Sequence, residues 1–341
     1  MTRRFACLLF AVAAVVVASS CGGTTANQGN NSGALERTSI TIAIGPDPAF
    51  AVHAVAIAKG YFKDNGITNV QTKTFSSGVE AGQALIAGNI DLWNPGNLPP
   101  ITLAASGSPI KVIGTDAIAH VEFLMAKKNS GINDPKDLYG KKIAVLQGST
   151  QAAFMWNLAT HYQLDMSKMK IVNLTPPEAL VALRNGSVDA AVFFPPLNFQ
   201  AATDLGAVLL AGRTSGFASD KGAQVDFSHT RNLFVIPSKL QSEAPNTVKA
   251  MMRALFQAQK YVADPANTDE VQQIYANFSS QPIAAVKDAW PLYVFSPALD
   301  SGYIADQKNY TDFLTSIGAF QGAAPSVNSY TDDSYVKQLA S

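Results

Sequence analysis

The chain has 341 residues, 25 basic against 25 acidic side chains, and two cysteines. That length is large for a single core and natural for two packed lobes. The balanced charge gives no electrostatic case for nucleic acid, and two cysteines cannot make a disulfide framework.

In chain order, the first segment is MTRRFACLLFAVAAVVVASSCGG, with Arg3 and Arg4 ahead of an apolar run from Phe5 to Ala18. The run is shorter than the ~20 residues a membrane span needs and suits the core of a secretory signal. Small residues Ala18, Ser19 and Ser20 directly before Cys21 resemble the lipobox of bacterial lipoproteins. The resemblance implies a signal peptide over 1–20 and lipidation of Cys21, which makes the protein anchored and not spanning. Cleavage there removes Cys7, so the mature chain has no free thiol nucleophile. It also removes Arg3 and Arg4, leaving 23 basic residues against 25 acidic. Residues 21–37 are small and polar and are expected to form a disordered tether.

The folded body is expected from Thr38. SITIAIGPDPAFAVHAVAIAKGYF reads as strand, turn and helix, and KKIAVLQGSTQAAFMWNLATHY repeats that order about a hundred residues on. A second pair matches position by position: Glu80, Leu85, Gly88 and Asp91 against Glu178, Leu183, Gly186 and Asp189. In each, a helix is stopped by a glycine suited to the left-handed conformation, and the aspartate opens a short strand. Apolar runs separated by helices predict two α/β lobes, each a mainly parallel sheet flanked by helices. Open sheets of this kind bind ligands at the carboxyl ends of their strands. That selects the loops 45–50, 76–79, 94–100, 147–152 and 193–199. After Arg231 the pattern changes to a strand, NLFVIPS, followed by amphipathic helices. This tail is expected to pack back on the first lobe.

The ordered phrases AIAKGYFKDNGI, FSSGVEAGQALIAGNIDL, INDPKDLYGKKIAVLQGST and PPEALVALRNGSVDAAVFFPP resemble the periplasmic substrate-binding proteins of ABC importers, in the nitrate/sulfonate/taurine-like group. The resemblance implies a type II bilobal fold, with lobe 1 from 38–119 and 231–341 and lobe 2 from 120–230. Crossings would fall near 118–123 and 228–233. It also implies a small anionic ligand held between the lobes, permease subunits as partners, a monomer, no cofactor and no metal.

The candidate site follows from the loops. Gln147, Gly148, Ser149 and Thr150 open a helix, where unpaired amides and hydroxyls suit an oxyanion. In the resemblance this is where a sulfonate sits, although Ser149 or Thr150 also suits a plain N-cap. Ser76, Ser77 and Gly78 are the counterpart in the first lobe. Asn94, Gly96 and Asn97 offer neutral donors and a close approach. Asp47 would partner an amine on the ligand. Phe50, Phe194 with Pro195, and Phe217 are candidate apolar walls. In the family, sulfonate binders often carry a Trp where Phe194 stands, so no indole donor is expected from that loop. His120 lies near a crossing; Arg213 and Arg231 are candidate anion partners; His53 and His161 are expected to be structural.

No Gly-x-Ser-x-Gly elbow, HExxH or Walker loop is present. The favoured reading is a binder of a sulfonate such as taurine or an alkanesulfonate. Two others stay open: a binder of a pyrimidine or aromatic acid, and an enzyme on the same scaffold related to thiamine-precursor synthesis.

Overall fold

The computed structural model describes residues 33–340 apart from 226 and 229. The expected signal peptide, Cys21 and most of the tether lie outside the described residues. The end of the tether is a correction. Glu36 accepts from Thr247 N at 2.9 Å, Arg37 pairs with Asp91 at 2.6 Å, and Leu35 packs on the core. The body therefore begins at Leu35, because this short stretch has partners waiting on the first lobe.

Ten strands are described: β1 (Ser39–Ile44), β2 (Asn69–Thr74), β3 (Ile110–Ala119), β4 (Phe123–Ala126), β5 (Lys142–Ala144), β6 (Lys170–Val172), β7 (Ala190–Phe193), β8 (Val208–Ala211), β9 (Thr230–Pro237) and β10 (Tyr293–Phe295). β1 and β2 are parallel, and β10-β3-β9 form an antiparallel set. Single bridges, Ile42 to Leu92 and Trp93 to Val235, join these two groups. The other sheet has the order β6-β5-β7-β4-β8, parallel at β5, β6 and β7 and antiparallel where β4 meets β7 and β8. The five-stranded sheet is mainly parallel, with β4 alone running against the other four, and the first half sets the parallel pair beside an antiparallel group. The antiparallel strands flank the passages between sheets, where the chain reverses direction, and a short apolar run carries no mark of its direction. β10 was absent from the sequence reading for the same reason of brevity.

The internal echo is physical. Gly88 and Gly186 sit at φ 75° and 79°, ending their helices in the left-handed conformation. Asp91 Oδ2 then accepts from Thr41 N at 2.8 Å, and Asp189 Oδ2 accepts from Lys142 N at 2.8 Å. Asp189 thereby ties the start of β7 to β5, whereas Asp91 leads only into the single-bridge residues Leu92 and Trp93 beside β1, so the strand expected after Gly88 is reduced to isolated bridges. Glu80 and Glu178 match as well. Glu80 accepts from Ser76 N and Oγ at 3.0 and 2.7 Å, and Glu178 from Thr175 N and Oγ1 at 2.8 and 2.7 Å. Both are capping carboxylates at helix starts.

The tail packs on the first sheet as its amphipathic spacing implies. Val248, Met251, Met252 and Leu255 of the helix Pro245–Ala263 join Ile40, Ile42, Val52 and Val55 in one core. Helix Ser301–Ser316 sends Phe313 across to Trp156 of the other unit, with ring centroids 5.7 Å apart. A second core runs on from Trp93 and Val235 of one sheet to Leu124 and Val192 of the other.

Candidate functional site

A cavity of about 110 Å³ lies where the five loops meet. It takes lining residues from each of them: Asp47 and Phe50; Ser76, Ser77 and Gly78; Asn94 and Gly96; Ser149 and Thr150; and Phe194. It also takes residues that the sequence reading did not single out: Trp93, Glu122, Thr230 and Asn232. Three of these four, Glu122, Thr230 and Asn232, lie in the crossing segments, which mark where both lobes border a cleft. That placement was the signal available for finding them.

Eight expected residues are not in the described lining. Phe217 is fully buried and edges onto Tyr162 at 5.4 Å, a core contact. Asn97 is fully buried and its Oδ1 accepts from Arg231 N at 2.5 Å, so it ties the helix Leu98–Ala105 to β9. Gln147 and Gly148 point to solvent at the turn, Gly148 with φ 71°. Pro195 is buried behind Phe194 in the chain, and His120 donates its backbone N–H to Leu292 O. Arg231 turns away too: its Nε donates to Asp306 at 2.5 Å and its Nη1 lies 3.5 Å from Asp300. Arg213 is exposed.

Hydroxyl groups divide into engaged and available ones. Ser149 Oγ donates to Leu146 O at 2.7 Å and accepts from Gln151 N at 3.2 Å, which is an N-cap. Ser76 Oγ donates to Glu80. Ser77 Oγ accepts from Glu80 N at 3.2 Å and keeps its own proton to give. Thr150 stands on the first turn of the helix Thr150–His161, in the cavity wall. Trp93 supplies the indole that the Phe194 loop lacks: it lines the cavity, is 1% exposed, and its Nε1–H has no hydrogen-bond partner among the described residues. Donors from Ser77, Thr150 and Trp93, with the first amides of two helices, suit an oxyanion.

Ser149→Ala should therefore cost about 1 kcal/mol of stability through the lost cap and leave ligand affinity within a factor of two. Thr150→Val should do the reverse, lowering affinity about tenfold with an unchanged melting temperature, since a hydrogen bond to a charged group contributes ~1.5–3 kcal/mol. Thermal melts alongside calorimetry separate the two.

Gly96 is where the loop of one lobe meets the helix start of the other. A Cβ there would lie 2.7 Å from Thr150 Cγ2 and 3.4 Å from Thr230 Cγ2. Gly96→Ala should turn Thr150 or part the lobes, weakening ligand binding while the melting temperature of the free protein holds. Adding Thr150→Ser, which removes the opposing methyl, should restore much of the affinity. A double variant no better than Gly96→Ala alone would rule out this contact as the cause.

The acidic side of the cavity is as distinct as its donor side. Among the described lining residues none is Lys, Arg or His, yet Asp47 and Glu122 are both present. Glu122 is 3% exposed; Ser228 Oγ donates to one of its oxygens and Thr230 Oγ1 to the other at 2.8 Å. Asp47 accepts from Ala49 N at 3.0 Å at a helix start. Burial pushes its carboxyl up to about 7, and the Glu122 charge adds to the rise.

Two lobes joined by crossing segments, with a small cavity at their loops that sets a few polar groups in a mostly apolar wall, define a two-lobed, periplasmic-binding-protein-like fold. The alkanesulfonate-binding protein of Xanthomonas axonopodis pv. citri, solved bound to MOPS, matches it with a TM-score of 0.72 over 88% of this chain and 100% of that one, at 21% identity. The NMT1/THI5-like family model matches residues 47–268, and the chain belongs to that family. Similar relatives include the taurine-binding periplasmic protein of Escherichia coli, 30% identical over 60% of this chain and 61% of that protein's length. A putative aliphatic sulfonates-binding protein of Bacillus subtilis is 28% identical over 79% of this chain and 77% of its own length.

Proposed function

We propose that this protein is an exported, lipid-anchored solute-binding protein that captures an amino-sulfonate such as taurine between its lobes and delivers it to an ABC importer. The observation that carries the reading is the cavity's mixed chemistry: anion donors and two carboxylates, with no cationic side chain among its described lining residues. A simple anion would enter beside the two carboxylates uncompensated. A ligand with both a sulfonate and an ammonium answers both groups. Taurine-binding and sulfonate-binding relatives support the sulfonate part and the export. Closure of the lobes would bury the ligand and form the surface that a permease reads. Hydrogen bonds replace its lost hydration, which accounts for the small donors in the wall.

The test is calorimetry on the mature chain with taurine, ethanesulfonate, nitrate and a hydroxymethylpyrimidine. Taurine should bind most tightly. Equal affinity for ethanesulfonate would remove the amine from the reading, and binding of the pyrimidine alone would overturn it. Turnover of any of these compounds would return the enzyme reading. Radiolabelled palmitate should be incorporated by the intact chain and be absent from Cys21→Ala; label persisting there would refute the anchor.

A further inference from the structure

Behind the cavity wall lies a buried polar group that the site above does not use. Asn94 lines the cavity and is 5% exposed. Its Nδ2 donates to Asp116 Oδ2 at 2.5 Å. Asp116 is fully buried in β3 and outside the lining. The strand is pinned there by Gln259, whose Nε2 donates to the Asp116 carbonyl at 2.5 Å. On Asp116's other side is His53, fully buried, with Nδ1 3.6 Å from Asp116 Oδ2.

A side-chain amide has a donor end and an acceptor end in one plane. With Nδ2 committed to Asp116, the orientation of Asn94 is set. Its Oδ1 is left buried with no hydrogen-bond partner among the described residues. An unpaired buried oxygen is unfavourable unless a donor arrives to meet it. Without Asp116, Asn94 would be free to turn its NH₂ toward the cavity.

We propose that Asp116 is a positioning residue that holds the Asn94 amide so that Oδ1 becomes a third acceptor, beside Asp47 and Glu122, for the ligand's ammonium group. An ammonium carries three N–H donors, which matches three acceptors. The proposal rests on the amino-sulfonate reading above. It adds a specificity element to that reading: the acid that sets the amide never touches the ligand.

The readout is the ratio of dissociation constants for ethanesulfonate and taurine. Asp116→Leu should lower this ratio at least fivefold, through weaker taurine binding, with ethanesulfonate changed by less than twofold. Asp116→Asn, whose carbonyl still accepts from Asn94, should keep the ratio within twofold of the parent. Asn94→Leu should lower the ratio as Asp116→Leu does, and the double variant should lower it no further. An unchanged ratio in Asp116→Leu, an equal loss for both ligands, or a further fall in the double variant would overturn the proposal. If Asp116→Leu does not fold, Asn94→Leu decides: an unchanged ratio there also overturns it. Failure of the amino-sulfonate reading is seen separately, as a parent protein that does not prefer taurine.

Discussion

Glu122→Gln should weaken taurine binding about 100-fold or more while ethanesulfonate binds as well as before or better. Glu122 is 3% exposed, and the hydroxyls of Ser228 and Thr230 hold its two oxygens. These two hydrogen bonds fix the carboxylate in place before any ligand arrives. Glutamine keeps the shape and removes the charge. The ammonium of a bound ligand would then lack one of its two ionic partners in a site closed to water. Stranding a buried charge in this way costs ~3–5 kcal/mol, and ~1.4 kcal/mol is tenfold in affinity. Ethanesulfonate has no ammonium to strand, and one negative charge fewer in the cavity favours its entry. Calorimetry with both ligands on both proteins is the measurement. A parallel loss for the two would mean that Glu122 only shapes the cleft, and the carboxylates would lose their place in the reading.

Much of the fold was legible because its determinants are local. Gly88 and Gly186 stop helices, Asp91 and Asp189 each bond the backbone of a neighbouring strand, and each does so through contacts within its own unit. Repetition of one local solution about a hundred residues apart is visible in a single sequence. Strand direction was not, since β4 and β9 differ from parallel strands only in what precedes them. The candidate site was legible at the level of loops and less so at the level of atoms. Ser149 and Thr150 are neighbours of similar chemistry, yet the backbone places the Ser149 hydroxyl between Leu146 O and Gln151 N. Trp93 carries no local mark of its role: the Phe194 loop has no indole, and the donor comes from the other lobe. Phe217 has the composition of a wall residue, but the edge-on ring of Tyr162 claims it for the core. Such allocations depend on tertiary neighbours, which residue type and spacing do not encode.

The same two carboxylates make binding pH-dependent, with a sign that Asp47 sets. In the free protein burial, and then the charge on Glu122, raise the Asp47 carboxyl to about 7. An ammonium beside it favours the ionised form, so a ligand that arrives below this pH must displace a proton. Affinity for taurine should be level above about pH 8 and fall by up to about tenfold per unit as the pH drops below about 7. Asp47→Asn should bind more weakly at high pH and lose the slope. The free protein responds in the opposite sense. A carboxyl raised in the folded state contributes most to stability where it is protonated, below its ordinary value of 3.8. That contribution is lost as the pH rises through about 7, where the ionised Asp47 meets the charge on Glu122. A saturating amount of taurine should therefore raise the melting temperature more at pH 8 than at pH 6. Calorimetry in two buffers of different ionisation enthalpy would register the proton directly, as a release approaching one per ligand near pH 6. A taurine affinity flat across this range, with no proton released, would place Asp47 outside the ammonium's reach and leave Glu122 as its ionic partner.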